Sequence, residues 1–260
     1  MQLTVIKIGG NIIDHKDKLS AFLKDFAAVK GFKILVHGGG KIASELGKKL
    51  GIEPNMVNGR RITDAETLHL VTMVYGGLIN KNIVAELQSI GCNAIGLSGA
   101  DGAVLPAVKR PVAEIDYGFV GDVESGHIKA DLIKKLLQYG LAPVFAPLTY
   151  DGQGGLLNTN ADTVAQEIAK ALSQYMTVQL IYCFEKRGVL IDANDDNSVI
   201  NCITSKDFME LKSRDIITGG MIPKLENAFA AITQGVQEVV IGQAEELAAL
   251  ISGNAGTCIK

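Results

Sequence analysis

Short apolar runs alternate along this chain with stretches whose apolar residues recur every three to four positions. Leu3–Ile8, apolar except for Thr4 and Lys7, reads as a buried strand, and Lys16–Val29 as an amphipathic helix. Lys33–His37 is a second strand. Gly38, Gly39 and Gly40 separate it from a helix over Lys41–Leu50, with Gly51 where a C-terminal capping glycine belongs. A long helical pattern runs from about Asp64 to Ile90 and stops at Gly91, and Asn93–Leu97 is strand-like. Val, Gly and local alternation between Ala103 and His127 indicate short hairpin strands. Then follow a helix over Lys129–Tyr139, a strand over Ala142–Ala146, a helix over Ala161–Leu172 and a strand over Thr177–Tyr182. The last third has helices near Lys206–Leu211 and Lys224–Gln234, a strand over Glu238–Ile241 and a helix over Ala244–Ile251.

Strands that alternate with helices predict an α/β protein, with a mainly parallel sheet covered on both faces. Ligands of such sheets collect at the carboxyl ends of the strands, so the segments that follow the strands carry the functional information. Three of them are rich in glycine: Gly9-Gly10-Asn11, Gly38-Gly39-Gly40-Lys41, and Ser98-Gly99-Ala100-Asp101-Gly102. Glycines there let backbone N–H groups approach an anion, and a following helix adds its positive end. Three such turns favour a phosphate or carboxylate site. Gly38–Ala43 matches GxGxxA, but no acidic strand end follows at the distance a dinucleotide fold requires. No GxxxxGK[ST], GxSxG or HExxH occurs.

Composition narrows the partners. With 25 Lys and Arg against 28 Asp and Glu the net charge is −3, which argues against a generic nucleic-acid binder. An anion must therefore be met by a local constellation. No apolar run is long enough to span a membrane, and the first residues lack the pattern of a signal peptide. The four cysteines, Cys92, Cys183, Cys202 and Cys258, are scattered and form no CxxC, which fits reduced thiols in a cytoplasm.

Four places hold candidate chemistry. Lys7 is the one charge in its strand and lies just before Gly9-Gly10; its plain alternative is a lysine that snorkels from a strand end. Arg60 and Arg61 form either a solvated turn or a fork for a carboxylate, and composition does not separate them. In Asn158-Thr159-Asn160-Ala161-Asp162, Thr159 and Asp162 have capping-box spacing, so a structural reading of Asp162 stands beside a functional one. Lys224 follows Gly219-Gly220-Met221-Ile222-Pro223 at a helix start, where a cation is disfavoured unless an anion sits between it and the helix.

Taken together these segments resemble the amino-acid kinase family. The matching pieces are Lys7-Ile8-Gly9-Gly10, Val36-His37-Gly38-Gly39-Gly40, Asn58-Gly59-Arg60-Arg61-Ile62-Thr63, Asn80-Lys81, Gly96–Gly102, Asn158–Asp162 and Gly219–Lys224. They follow the family's order over nearly the whole chain, and the Asn58–Thr63 segment points to its acylglutamate-phosphorylating branch.

The resemblance implies a three-layer αβα sandwich with an open, mainly parallel sheet. A single domain over residues 1–260 would bind the acylated amino acid in a lobe of about 1–173 and ATP in a lobe of about 174–260. The implied reaction phosphorylates the γ-carboxylate of N-acetyl-L-glutamate, the second step of arginine synthesis, with Mg²⁺ bound along with the nucleotide. Lys7 and Lys224 would flank the phosphoryl group, and Asp162 would hold both lysines. Gly39, Gly40, Arg61, Asn158 and Asn160 would bind the acylglutamate. Gly9, Gly10, Gly219, Gly220 and Met221 would meet nucleotide phosphates.

A carboxylate nucleophile is ionised at neutral pH and needs no general base, which accords with the lack of a Ser-His or Cys-His pair. One departure is clear. Phe184 and Glu185 stand where the family usually has a hydroxyl residue and Asp. The acyl group is left open between acetyl and a larger one such as succinyl, and a non-catalytic sensor of the same fold is the other alternative. The resemblance also implies a homodimer built on the Asp64–Ile90 helix, through a stripe of Leu68, Val71, Thr72, Tyr75, Leu78 and Ile79. With the first strand at Leu3, no additional N-terminal helix is expected. Nor, therefore, is a hexamer or strong inhibition by arginine.

Overall fold

The computed structural model describes residues 1–57, 59–192, 194–217 and 221–260. In chain order the strands are β1 (Gln2–Ile8), β2 (Phe32–His37), β3 (Met56–Val57), β4 (Arg60–Arg61), β5 (Ala94–Leu97), β6 (Ala107–Lys109) and β7 (Gly121–Val123). They continue as β8 (Ala142–Phe145), β9 (Leu148–Tyr150), β10 (Leu156–Asn158), β11 (Thr177–Phe184), β12 (Cys202–Ile203), β13 (Glu238–Gln243) and β14 (Thr257–Ile259). Eight of them form one sheet in the order β12-β14-β13-β11-β1-β2-β8-β5. Its pairs are parallel except β13–β14, so β12 and β14 run against the rest. The small hairpins β3–β4, β6–β7 and β9–β10 stand apart from it. Two residues of strand carry too little pattern to be read from sequence, which is why β3, β4 and β12 were not anticipated.

Each sheet face buries its own core. Leu3 and Val5 of β1 join one cluster with Val164, Ile168, Leu225 and Ala228, while Ile6 and Ile8 join the other with Phe22, Phe26, Leu70 and Leu247. The first layer therefore contains α6 (Ala130–Gln138), α7 (Ala161–Ser173), α8 (Ser205–Ser213) and α9 (Met221–Thr233). The second contains α1 (Gly10–Ile13), α2 (Lys16–Ala28), α3 (Gly40–Lys49), α4 (Ala65–Val71), α5 (Asn80–Ser89) and α10 (Leu247–Ile251). This is the three-layer sandwich the alternation predicts, with the period-2 pleat assigning odd residues of β1 to one layer and even ones to the other. Helix α7 is buried from Val164 to Leu172, since α6, α9 and the sheet surround it. Its Glu167–Lys170 ion pair, at 2.7 Å, keeps both charges partnered inside that environment.

The long pattern Asp64–Ile90 is one continuous helix of unequal pitch. Between α4 and α5 the segment Thr72–Ile79 is π-helical, around Gly76 and Gly77. This turn changes which residues face inward. Of the six apolar residues expected to form a docking stripe, Val71, Tyr75 and Ile79 are buried in this chain's own core, Leu68 and Thr72 are half-buried, and Leu78 alone is exposed. The stripe is therefore mainly core, because its period matches the sheet below it.

Candidate active site

The site is built at the carboxyl ends of β1, β2 and β11, which are adjacent in the sheet. Lys7 pairs in register with Tyr182, so Lys7, Tyr182 and Phe184 project from one sheet face, the face that α7 and α9 cover. The N-terminus of α7 brings Asp162 over this row, and Lys7 Nζ lies 2.7 Å from Asp162 Oδ1 with both side chains largely buried. Lys224, in the first turn of α9, places its Nζ 3.7 Å from the centre of the Phe184 ring. Lys7 Nζ lies 5.2 Å from the same ring. Phe184 thus faces two ammonium groups, each attracted by the negative ring face on the order of 0.5–2 kcal/mol. Burial pushes the Lys224 ammonium below its ordinary pKa, Asp162 works against that, Lys7 adds to it, and Glu185 opposes it.

Of the two lysines that Asp162 was expected to hold, it contacts Lys7, while Lys224 feels its charge from beyond ion-pair distance. The capping-box reading is corrected. The N-cap of α7 is Asn160, whose Oδ1 accepts from Asp162 N at 2.7 Å and Thr163 N at 3.4 Å. Thr159 is turned inward to Thr149 Oγ1 and Gly121 O. Asparagine caps a helix as well as threonine does, and the cap frees the Asp162 carboxylate for Lys7.

Beside the α7 N-terminus lies a cavity of about 190 Å³. Gly39, Gly40, Arg61, Asn158 and Asn160 all line it, so the residues singled out from sequence for the acylglutamate come together. Gly39 has φ +145°, a backbone open to glycine, and a Cβ there would lie 2.2 Å from Ile79 Cδ1. Arg61 separates from Arg60: it is buried, and its Nη2 donates to Gly40 O at 2.9 Å and Ser44 Oγ at 2.7 Å, whereas Arg60 is exposed. Asn158 Nδ2 donates to Thr63 Oγ1 at 3.0 Å, and Thr63 Oγ1 donates to Arg61 O, also at 3.0 Å, which ties the arginine's backbone to the cavity wall. Asn160 spends its side-chain carbonyl on the cap.

Behind the Gly38–Gly40 turn, His37 is fully buried. Its Nδ1 lies 2.8 Å from Gly38 O, and its Nε2 lies 3.2 Å from Asn80 Nδ2. Burial lowers its pKa to about 4, so the ring is neutral, with Nδ1–H donating and Nε2 accepting. Asn80 also donates to Val144 O, and Lys81 donates to Asn80 Oδ1 and Gly96 O, so Asn80-Lys81 braces three strand ends.

A second cavity, of about 350 Å³, opens on the other side of the lysines. Gly9, Gly10, Phe184, Glu185, Met221 and Lys224 are among its walls. Gly219 and Gly220, expected at nucleotide phosphates, lie outside the described residues.

Sequence reasoning missed three residues of the site. Tyr75 looked like one more apolar helix position, yet it lines the first cavity under Gly39. Arg110 carried no sequence signal; it lines the same cavity, forks onto Asp122 and keeps a buried Nη1 without a hydrogen-bond partner. Phe184 was visible as a departure from a pattern, but its contact with both lysines depends on the α9 layer. Among the described residues no group of three His, Cys, Asp or Glu is placed to hold a metal ion, and no helix is long and apolar enough to cross a membrane.

The site therefore offers a ring of cations and glycine turns, one half-buried carboxylate between them, and a cavity on either side. Residues 2–243 match the model of the amino acid kinase family, and the chain belongs to that family. It is 60% identical over 259 residues to the acetylglutamate kinase of Bacteroides thetaiotaomicron, covering 100% of this chain and 98% of that one. Identity to the acetylglutamate kinase of Phocaeicola vulgatus is 58%, with the same coverage. Among solved structures, smu.665 from Streptococcus mutans superposes with a TM-score of 0.79 at 30% identity, over 99% of this chain and 98% of that one.

Proposed function

We infer that this protein is a kinase that transfers the γ-phosphoryl group of ATP to the γ-carboxylate of N-acetyl-L-glutamate, giving ADP and an acyl phosphate, in arginine biosynthesis. The observation that carries the reading is the Lys7–Asp162 pair, set between one cavity entered by Arg61 and another walled by Lys224 and Gly9-Gly10. Such a reaction requires two anions brought end to end and the spreading charge neutralised, and little else. Arg61 holds the α-carboxylate of the acylglutamate, the Gly39 and Gly40 backbone admits its γ-carboxylate, and Lys7 and Lys224 take up charge on the phosphoryl oxygens. Asp162 keeps Lys7 in place against its charged neighbour. Gly9, Gly10 and Met221 border the nucleotide phosphates, with residues up to about 173 serving the acylglutamate and the remainder ATP.

Among the described residues no three His, Cys, Asp or Glu side chains gather into a cage for Mg²⁺. Mg²⁺ carried by the nucleotide would supply further charge neutralisation at the phosphoryl group. The same reading includes a homodimer in the cytoplasm, with the exposed Met73 and Leu78 of the Thr72–Ile79 turn at its interface. A second reading, N-succinyl-L-glutamate as the acceptor, is favoured by one feature: Arg110 lines the same cavity and brings a second guanidinium within it for the extra carboxylate of a dicarboxylic acyl group.

A hydroxylamine trap tests both. Enzyme, Mg-ATP and either acylglutamate are incubated, and the hydroxamate formed from the acyl phosphate is assayed. Hydroxamate from the acetyl substrate at the higher kcat/KM supports the first reading, from the succinyl substrate the second. Hydroxamate from neither substrate would overturn the kinase.

A further inference from the structure

At the sheet edge farthest from β5, β12 pairs in parallel with β14, and Cys202 stands opposite Cys258. Adjacent strands lie about 4.8 Å apart, within the Cα separation that a disulfide spans. Paired residues of neighbouring strands share a face. Ile203 and Ile259 are buried in the α8–α9 layer, so the two cysteines project from the opposite side of the sheet, away from the row that carries Lys7. The two thiols differ. Cys202 is exposed. Cys258 is half-buried and donates through its Sγ to Glu238 Oε1 at 3.0 Å, while Gln179 Nε2 holds the other oxygen of Glu238 at 2.9 Å. Burial and the Glu238 carboxylate push the Cys258 thiol up to about 12, so Cys258 is held as a thiol, and the exposed Cys202 is the sulfur that an oxidant reaches first.

We propose that Cys202 and Cys258 are a redox-active pair that hydroperoxides convert into a disulfide joining β12 to β14, with Glu238 as the base for the second thiol. In the first step the Cys202 thiolate attacks a peroxide oxygen. The O–O bond breaks, the sulfur is oxidised to a sulfenic acid, and the leaving hydroxide takes up the proton that the Cys202 thiol released and departs as water. In the second step the Cys258 proton passes to Glu238, Sγ swings about the Cα–Cβ bond towards Cys202, and the S–S bond forms as the S–O bond breaks. The departing hydroxide takes the proton from Glu238. Two thiols and one hydrogen peroxide thus give one disulfide and two waters.

The test is intact-mass analysis and peptide mapping of the full-length protein after stoichiometric hydrogen peroxide, with and without dimedone. The expected result is a loss of two hydrogen atoms and a peptide linking Cys202 to Cys258, both reversed by dithiothreitol. Cys258→Ser should instead leave a dimedone adduct at Cys202. Glu238→Gln, with both thiols kept, should slow disulfide closure at least about tenfold and let that adduct accumulate. Wild-type protein in which Cys202 carries the adduct or a sulfinic acid while Cys258 stays a free thiol would overturn the pair. Closure at an unchanged rate in Glu238→Gln would overturn the role of Glu238.

Discussion

Each lysine of the site is set by a different neighbour. Lys7 is pinned by Asp162, whereas Lys224 rests on Phe184. Both would meet charge that is greatest in the transition state, so Lys7→Ala and Lys224→Ala should each lower kcat by a hundredfold or more, about 3 kcal/mol, with smaller changes in KM. Steady-state kinetics with saturating ATP check this, and near-normal kcat in Lys7→Ala would remove that lysine from the chemistry. On the proposed reading Arg61 is a binding group, its contact made equally in ground and transition states. Arg61→Ala should raise the KM for the acylglutamate by one to two powers of ten, roughly 1.5–3 kcal/mol, and leave the KM for ATP nearly unchanged. Arg60→Ala, altering an exposed side chain, should do much less. These residues were legible in sequence as types at strand and helix ends, and the choice between Arg60 and Arg61 was not, because it depends on which one meets Gly40 and Ser44.

At the scale of elements, the turn from β2 into α3 has no room to change. Gly39→Ala would drive a methyl group into Ile79 and hold an L-residue at φ +145°. A loss on the order of 1–3 kcal/mol in thermal or urea unfolding is expected, along with a raised KM for the acylglutamate. His37 behind the same turn gives a pH dependence. Its folded pKa, about 4, lies below the ordinary 6.5, so between these values the unfolded chain binds the extra proton. Stability therefore rises with pH across this window and is lost as pH falls through it, by up to roughly 3 kcal/mol from this one ring. Urea unfolding from pH 4 to pH 7 should show that slope, and His37→Gln should flatten it. An unchanged slope would mean that the ring charges without cost. The glycine turn was plain in sequence, but the neutral histidine was not, since its environment comes from α5 and β8.

For the whole molecule, the Thr72–Ile79 turn leaves Met73 and Leu78 exposed after its other apolar residues have gone into the core. If a second copy covers them by a two-fold axis, light scattering should report about twice 27.6 kDa. Leu78→Lys should then shift the mass towards that of one chain while leaving the melting of the monomer's core little changed. A wild-type mass of one chain at micromolar concentration would remove the dimer.

Local chemistry was enough to fix the alternation of strands and helices, the glycine turns at strand ends and the cations beside them. Each of these depends on residues within one turn or one strand of each other, and so they order correctly as a string: Lys7 before Gly9-Gly10, His37 before Gly38–Gly40, Asn158–Asp162 opening α7. What the string leaves undetermined is every relation that crosses layers. Asn160 rather than Thr159 caps α7 because Thr149 and Gly121 claim the Thr159 hydroxyl. Phe184 serves two lysines because the pleat points it toward α9, and Cys202 meets Cys258 because β14 turns back antiparallel at the sheet edge. The reason is physical. Propensity and capping act over a few residues, but partners for buried charges, rings and thiols are chosen by packing between segments up to a hundred and more positions apart.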